Sequence, residues 1–278
     1  MELEDASSLE INNINLVDHG NTIYSHLFTY EAKNKGEHIV KLEGQKKIIE
    51  SINVKSKSNK LTISGNRYET YETPLFSIKI YGYEFSNIDV KDVRGSFENK
   101  MNGDDVSIKM SGASSIKALE FNAKKLNVNL TDGANLDIDK VSAKESNVYL
   151  TKASSLIVNN FISDDCSIII DNSASLTSNL NVENLKLDLS GNSSGSIKGT
   201  AFITKLEVSG SSKLIGINLT TNKADANILG ASFLSLTVDL ELKAYINGDS
   251  TLNYGGNCKT KIDASGEAIV NHIEGDIK

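Results

Sequence analysis

Arginine is nearly missing from this 278-residue chain, which has only Arg67 and Arg94. The planar guanidinium fork that grips phosphates and carboxylates is therefore almost unavailable. Asp and Glu outnumber Lys and Arg by 36 to 29, giving a formal net charge of -7. A nucleic-acid binder built on phosphate contacts needs a basic face, and this balance argues against that class of partner. Tryptophan is absent and Pro74 is the sole proline. No stretch approaches the ~18 consecutive apolar residues of a membrane-spanning helix, so no transmembrane segment is expected. The opening MELEDASSLEINN lacks the basic and apolar regions of a secretory signal. Two addresses fit that start: cytoplasmic as it stands, or secreted, periplasmic or outer-membrane associated if a leader before Met1 has been removed. Cys166 and Cys258 lie too far apart for a disulfide framework or a zinc spacing, and the plain reading is two ordinary small side chains.

What the chain does have is a repeat. Polar turns follow strand-like segments at Ser111, Thr131, Thr151, Asp171, Ser190, Ser209, Leu229, Asn247 and Ser265, at intervals of 18 to 20 residues. Aligning the segments on these anchors exposes columns. One residue before the anchor stand Met110, Leu130, Leu150, Ile170, Leu189, Val208, Ile228, Ile246 and Ala264. Three before it stand Ile108, Val128, Val148, Ile168, Leu187, Leu206, Ala226, Ala244 and Ile262. All are apolar, and the column between them is mostly polar, which is the alternation of a strand with one face buried. Three residues after each anchor comes Ser or Ala, from Ser114 to Ala268, as expected where a chain bends sharply over its neighbour. Glycine follows the anchor directly in six of the nine turns, suiting a backbone that needs positive φ or close approach. An apolar residue then returns, as in Ile116, Leu136 and Leu156, and Gly195 interrupts this column, with Ile197 as its substitute.

A unit this short cannot bury its apolar face alone, but stacked units share one interior. The period leaves two or three short strands with tight corners and no regular helix. The reading is all-β: a parallel β-helix of about nine coils over 101–278, its right-handed sense following the usual crossover preference. Leucine-rich repeats fit worse, since no asparagine ladder is present. Residues 1–100 form a less regular β region, with alternation in Ile48 to Ile63 and in Leu75 to Ile80. Aromatics gather there at Tyr68, Tyr71, Phe76, Tyr81, Tyr83, Phe85 and Phe97. They could form a ligand-facing patch, but a cap over the open end of the solenoid is the favoured reading.

Several turns have a familiar form: SGASS at Ser111 to Ser115, SGNSSG at Ser190 to Gly195, and SGSSK at Ser209 to Lys213. The closing run from Ile246 to Ala268 adds Gly248-Asp249, Tyr254-Gly255-Gly256-Asn257 and Ser265-Gly266. With these motifs the chain resembles the head GIN domain family, labelled auto-transporter adhesin and found largely in envelope proteins of Bacteroidetes-type bacteria. The segment Ile39 to Ile63 is similar to the family's opening strands, so the likeness covers most of the chain after about residue 40. Lys and Asn often replace the turn glycines here. The resemblance implies a surface or envelope module and brings no catalytic residues.

An enzyme is the competing reading, because β-helices often host polysaccharide lyases and hydrolases. Glycosidase chemistry needs two carboxyl groups across the sugar, and Asp104-Asp105, Asp137/Asp139 and Asp164-Asp165 are the candidates. Acidic residues on outward strand faces usually serve solvation, and both arginines precede the repeats. His19, His26, His38 and His272 sit near the termini, and no nucleophile elbow, metal spacing or phosphate loop appears. The expectation is a non-catalytic cell-surface or envelope-associated module, an adhesin or binding protein, with no catalytic, cofactor or metal residues to name and a glycan or surface protein as partner. The alternatives are a polysaccharide-active enzyme and an assembly protein that stacks through its solenoid ends. Cys166 is expected in an inward column with Val106, Leu126 and Leu185, unpaired with Cys258.

Overall fold

The computed structural model describes residues 3–14, 16–18, 21–23, 28–31, 38–65, 68–70 and 76–273, of which 16–18, 21–23, 28, 31 and 68–70 are described by backbone alone. His19, His26, Arg67, Tyr71, Pro74 and Leu75 lie outside the described residues, as does the side chain of Tyr68. The fold is a β-solenoid of stacked parallel coils, and a turn is present at each of the nine anchors. The chain divides into two compact units, Met1–Ile138 and Asp139–Lys278.

Coil anatomy is clearest in the second unit. Its strands are Ser155–Ile170, Ser175–Leu189, Ser194–Val208, Lys213–Gly230 and Phe233–Gly248, followed by Thr251–Gly255, Lys259–Ser265 and Ile269–His272. Along Ser155–Ile170 the buried residues are Leu156 and Val158, then Phe161 and Ser163, then Cys166, Ile168 and Ile170. Between these groups stand two adjacent exposed residues, Asn159-Asn160 and Asp164-Asp165. Strict alternation forbids two outward neighbours on a straight strand, so each such pair marks a bend. One coil therefore presents three faces and two bends, and a tight turn closes it.

The coil is thus one strand of 15 to 18 residues where two or three short ones were expected. Neighbouring coils bend at the same points, so the parallel ladder runs through the corners. It slips only locally, as between Val158 and Phe161 or between Ser196 and Gly199.

As far as Ile246 the columns lie in the core as the sequence pattern requires, whereas Ile262 is half-exposed and Ala264 exposed. Leu150, Ile170, Leu189, Val208, Ile228 and Ile246 are each at most 1% exposed. Burying each such side chain contributes roughly 1.5–3 kcal/mol. The interrupted column is repaired by its neighbours. A Cβ at Gly195 would lie 2.7 Å from Leu214 Cδ1, so the leucine of the next coil occupies the vacated space. Ile197, 4% exposed, belongs to the following column, where the missing side chain of Gly216 makes room for it.

The turns explain their own composition. Ser193 donates its hydroxyl to the carbonyl of Ser190 at 2.6 Å, and Ser232 to that of Leu229 at 2.7 Å. Ser114 and Ser250 do the same, so in these four turns the buried serine satisfies the carbonyl of its own anchor, while Ser154 accepts from the Thr151 N–H at 3.0 Å. Gly191, Gly210, Gly230 and Gly248 all hold positive φ. Lys152, Ala153, Asn172 and Ser173 do so without being glycine, which accounts for the turns that depart from the glycine pattern.

Within the first unit the strands pair out of sequential order. Ser8–Asn12 lies between Asn87–Lys91 and Lys60–Ser64, parallel to both. Asn87–Lys91 in turn pairs with Ser107–Ser111. On another face Phe28–Glu31 pairs in parallel with Gly95–Phe97 and with Ile78–Tyr81. Ile39–Gly44 and Asn53–Lys57 add antiparallel edges to Phe76–Tyr81 and Lys60–Ser64. Between those edges sits a helix, Lys46–Ser51, the one helix among the described residues. The run from Ile48 was expected to alternate as a strand. Ile48 is the buried residue of this helix, and Ile52 at its C-terminal cap is already extended, with φ -91° and ψ 128°.

Phe76, Tyr83, Phe85 and Phe97 are buried, together with Tyr30 and Phe121. Tyr30 donates its hydroxyl to the Tyr83 carbonyl, and its ring meets Phe85 and Phe97 at 5.4 and 5.6 Å. These rings are core of the first unit and offer no ligand-facing surface.

Candidate binding surface

With the inward columns filled, any chemistry must come from the outward ones, whose neighbours are fixed by register. In the second unit Ile157, Thr177, Ser196 and Ile215 stand side by side on four successive coils. The two isoleucines are 40% and 41% exposed. The short hydroxyl side chains between them leave a hollow of about 300 Å³, rimmed by Asn159, Asn179, Lys198 and Asn218.

A second hollow of about 420 Å³ follows another bend of the same unit. Asp165, Asn184 and Ile203 form one wall on consecutive coils, and Ser167, Lys186 and Lys205 form the other. Glu145 and Asn147 close one end. The Asn184 amide donates to Asp165 Oδ1 at 2.9 Å, and the Asn147 amide to Glu145 Oε1 at 2.8 Å. Carboxylates therefore gather at one end of this hollow and the ammonium groups of Lys186 and Lys205 at the other. Ile203 is 45% exposed, and its chain neighbour Phe202 is more exposed still. Exposed apolar groups beside hydrogen-bonding ones are what a polyhydroxylated or amphipathic ligand needs.

The carboxylates singled out from the sequence do not converge. Asp104 pairs with Lys124 at 2.9 Å, and Asp105 accepts from the Asn127 amide at 3.0 Å. Asp139 is exposed and accepts from Asn159 at 3.0 Å, while Asp137 is half-buried. Asp164 is exposed, and Asp165 is held by Asn184 in the second hollow. One carboxyl not singled out is perturbed: burial pushes Asp188 up, the adjacent Glu207 adds to this, and Lys186 opposes it. Asp188 and Glu207 oppose each other on adjacent coils. They lie outside the linings of both hollows, and Lys205 stands 3.7 Å from Glu207.

His38 stacks on Tyr83 at 4.6 Å and lies 3.3 Å from Asp5. His272 stacks on Tyr254, with Nε2 2.9 Å from the Gly256 carbonyl. Cys166 is buried and Cys258 half-buried, and both are free thiols. Burial pushes the Cys166 thiol up to about 12, which removes its nucleophilic thiolate at ordinary pH. Among the described residues no three His, Cys, Asp or Glu side chains come within reach of a common metal ion. Nor is any helix among them long and apolar enough to cross a membrane.

The hollows themselves escaped the sequence reading. Each arises where short side chains fall between long ones in a single outward column, a pattern visible only after the coils are registered. Six residues beyond each anchor, the positions of Ile157, Thr177, Ser196 and Ile215 would have shown it.

No curated protein matches the chain in sequence. Among solved structures, a "putative lipid binding protein" from Parabacteroides distasonis is similar with a TM-score of 0.51 at 14% identity, covering 99% of this chain and 95% of that one. At that identity the likeness is one of fold. A "putative adhesin" from the same species has a TM-score of 0.49 at 18% identity, with 98% and 94% covered. Another from Parabacteroides merdae has 0.48 at 12%, with 99% and 94% covered. A family model described as "Putative auto-transporter adhesin, head GIN domain" matches residues 24–168 and 140–258, most of the chain, and the protein belongs to that family.

Proposed function

We propose that this protein is a non-catalytic binding module of the cell surface or envelope, and that the two hollows of its second unit hold the ligand, with surface glycan chains as the first class to test. One observation carries this reading. Each hollow spans about four coils and combines exposed apolar side chains with amide, hydroxyl and ammonium groups. A sugar ring offers the matching surface, an apolar face edged by hydroxyls. At ~4.8 Å per coil, four coils span roughly 14 Å, long enough for two or three sugar rings. Membership of the adhesin family supports a surface partner, and supports an envelope or secreted address over a cytoplasmic one.

The test is a glycan array with a parallel cell-adhesion assay, run on the full chain and on two variants. Ser196→Trp fills the first hollow, and Lys186→Glu reverses charge in the second. Both positions are exposed, so the fold should persist. Binding by the native chain that falls tenfold or more in one variant is the expected result. Uniformly negative arrays and adhesion, or binding unchanged in both variants, would contradict the proposal.

A further inference from the structure

The last described coil is covered on one side. Its strand Lys259–Ser265 is registered on Glu241–Asn247 of the coil before it, and among the described residues no strand is registered on its other edge. Columns that are buried in the preceding coils come to the surface here. Ala264 is exposed, and Ile262 and Val270 are half-exposed, where Ile246, Ala244 and Leu252 are buried one coil earlier. An open ladder edge beside bare apolar columns invites another strand.

We propose that the occupant is the same edge of a second copy of this chain, paired antiparallel about a two-fold axis through Ile262. The strand reads KTKIDAS. Thr260, Ile262 and Ala264 continue the inward columns of Leu242, Ala244 and Ile246, while Lys261 and Asp263 point outward and are exposed. An axis at Ile262 sets each Lys261 opposite an Asp263 of the second copy, twice over. It also sets Ile262 on Ile262 and Thr260 on Ala264.

Other registers fail. Moving the axis onto Lys261 or Asp263, or onto Thr260 where Lys259 would face Lys261, places like charges face to face. An axis at Ala264 pairs only three residues of the strand, and one on a peptide bond sets inward side chains against outward ones. The strand is therefore self-complementary in one register, as an isologous contact requires. Such a pairing forms roughly six to eight backbone hydrogen bonds by the alternate-pair rule of antiparallel ladders.

Sedimentation velocity on the ligand-free full chain tests this independently of any glycan binding. The native chain should dimerise at micromolar to sub-millimolar concentration. Lys261→Asp and Asp263→Lys should each weaken the dimer roughly tenfold or more, since two attractive pairs become repulsive. The double reversal Lys261→Asp/Asp263→Lys should restore it, and an equimolar mixture of the two single variants should form heterodimers. Circular dichroism confirms the fold of each variant, whose changed side chains lie on the surface. A native chain that stays monomeric throughout, or a dimer indifferent to the single reversals, would overturn the proposal.

Discussion

Alanine at Gly230 and at Gly133 should cost different amounts, although the two backbones are almost the same. Gly133 has φ +81° and Gly230 has φ +82°. A methyl group at Gly133 meets nothing within 4 Å, whereas at Gly230 its carbon falls 2.7 Å from the Gly210 carbonyl oxygen of the preceding turn. In both places alanine carries the left-handed penalty of about 1–2 kcal/mol. The turns can bear that penalty, since Ala153 holds φ 60°. At Gly230 the stacked turn must also be pushed away, adding overpacking of about 1–3 kcal/mol. We therefore expect Gly133→Ala to lose about 1–2 kcal/mol and Gly230→Ala about 2–5 kcal/mol. Guanidinium unfolding followed by far-ultraviolet circular dichroism measures both. Gly248→Ala, with its Cβ 2.5 Å from the Gly230 carbonyl oxygen, should behave like Gly230→Ala. Equal losses at Gly133 and Gly230 would refute the claim that successive turns sit directly on one another.

Other outcomes follow from the interior. Leu150 is fully buried and Ser154 is 1% exposed, so Leu150→Asp and Ser154→Phe should each destabilise by several kcal/mol, through an unpaired buried charge and through overpacking; near-native melting of either would mean misassigned columns. Thr204 donates to Thr221 at 2.6 Å inside the core, and Thr221 donates to the Lys223 carbonyl at 3.1 Å. Thr221→Val strands a donor and an acceptor, so it should cost more than Thr204→Val, by about 1 kcal/mol in thermal melts. The Cys166 thiol rises from 9.0 to about 12 on folding, so it favours the native state fully at neutral pH and loses that preference as the unfolded thiol ionises above about 9. Stability should then fall by about 1.4 kcal/mol per pH unit. Tyr30 and Tyr83, also pushed up to about 12 by burial, add to the fall above 10.0. The clean comparison is native against Cys166→Ala between pH 9 and 10, where equal slopes would contradict the assignment.

The repeat was legible because identical physical demands recur every coil. Leu150, Ile170 and Leu189 must be apolar where they share an interior, and Ser154 and Ser193 must be small where turns stack. What stayed hidden depends on relations that no single period records. Continuous strands arise because neighbouring coils bend together at pairs such as Asp164-Asp165, and the ladder resumes after each local slip. In the first unit Ser8–Asn12 slips between Lys60–Ser64 and Asn87–Lys91, a non-sequential order that alternation alone does not encode. The helix Lys46–Ser51 was masked because its six residues bury only Ile48, too short a run to show a helical period. Buried hydroxyl pairs such as Ser146 with Ser163, 3.0 Å apart, look polar and outward in sequence until a bend brings them together. The binding hollows required the same step, since Thr177 and Ser196 gain meaning only beside Ile157 and Ile215.

The most direct test of stacked coils is a distance between spin labels at Ser167 and Lys243 in the Cys258→Ser background, where Cys166 is buried. These sites are 76 residues apart in sequence and joined by four registered coil steps through Lys186, Lys205 and Asp225. At ~4.8 Å per step their backbones should lie about 19 Å apart, and pulsed electron resonance should return one narrow distribution near that value. A broad distribution centred beyond about 30 Å, more than six strand spacings, would show that the coils do not lie one over another.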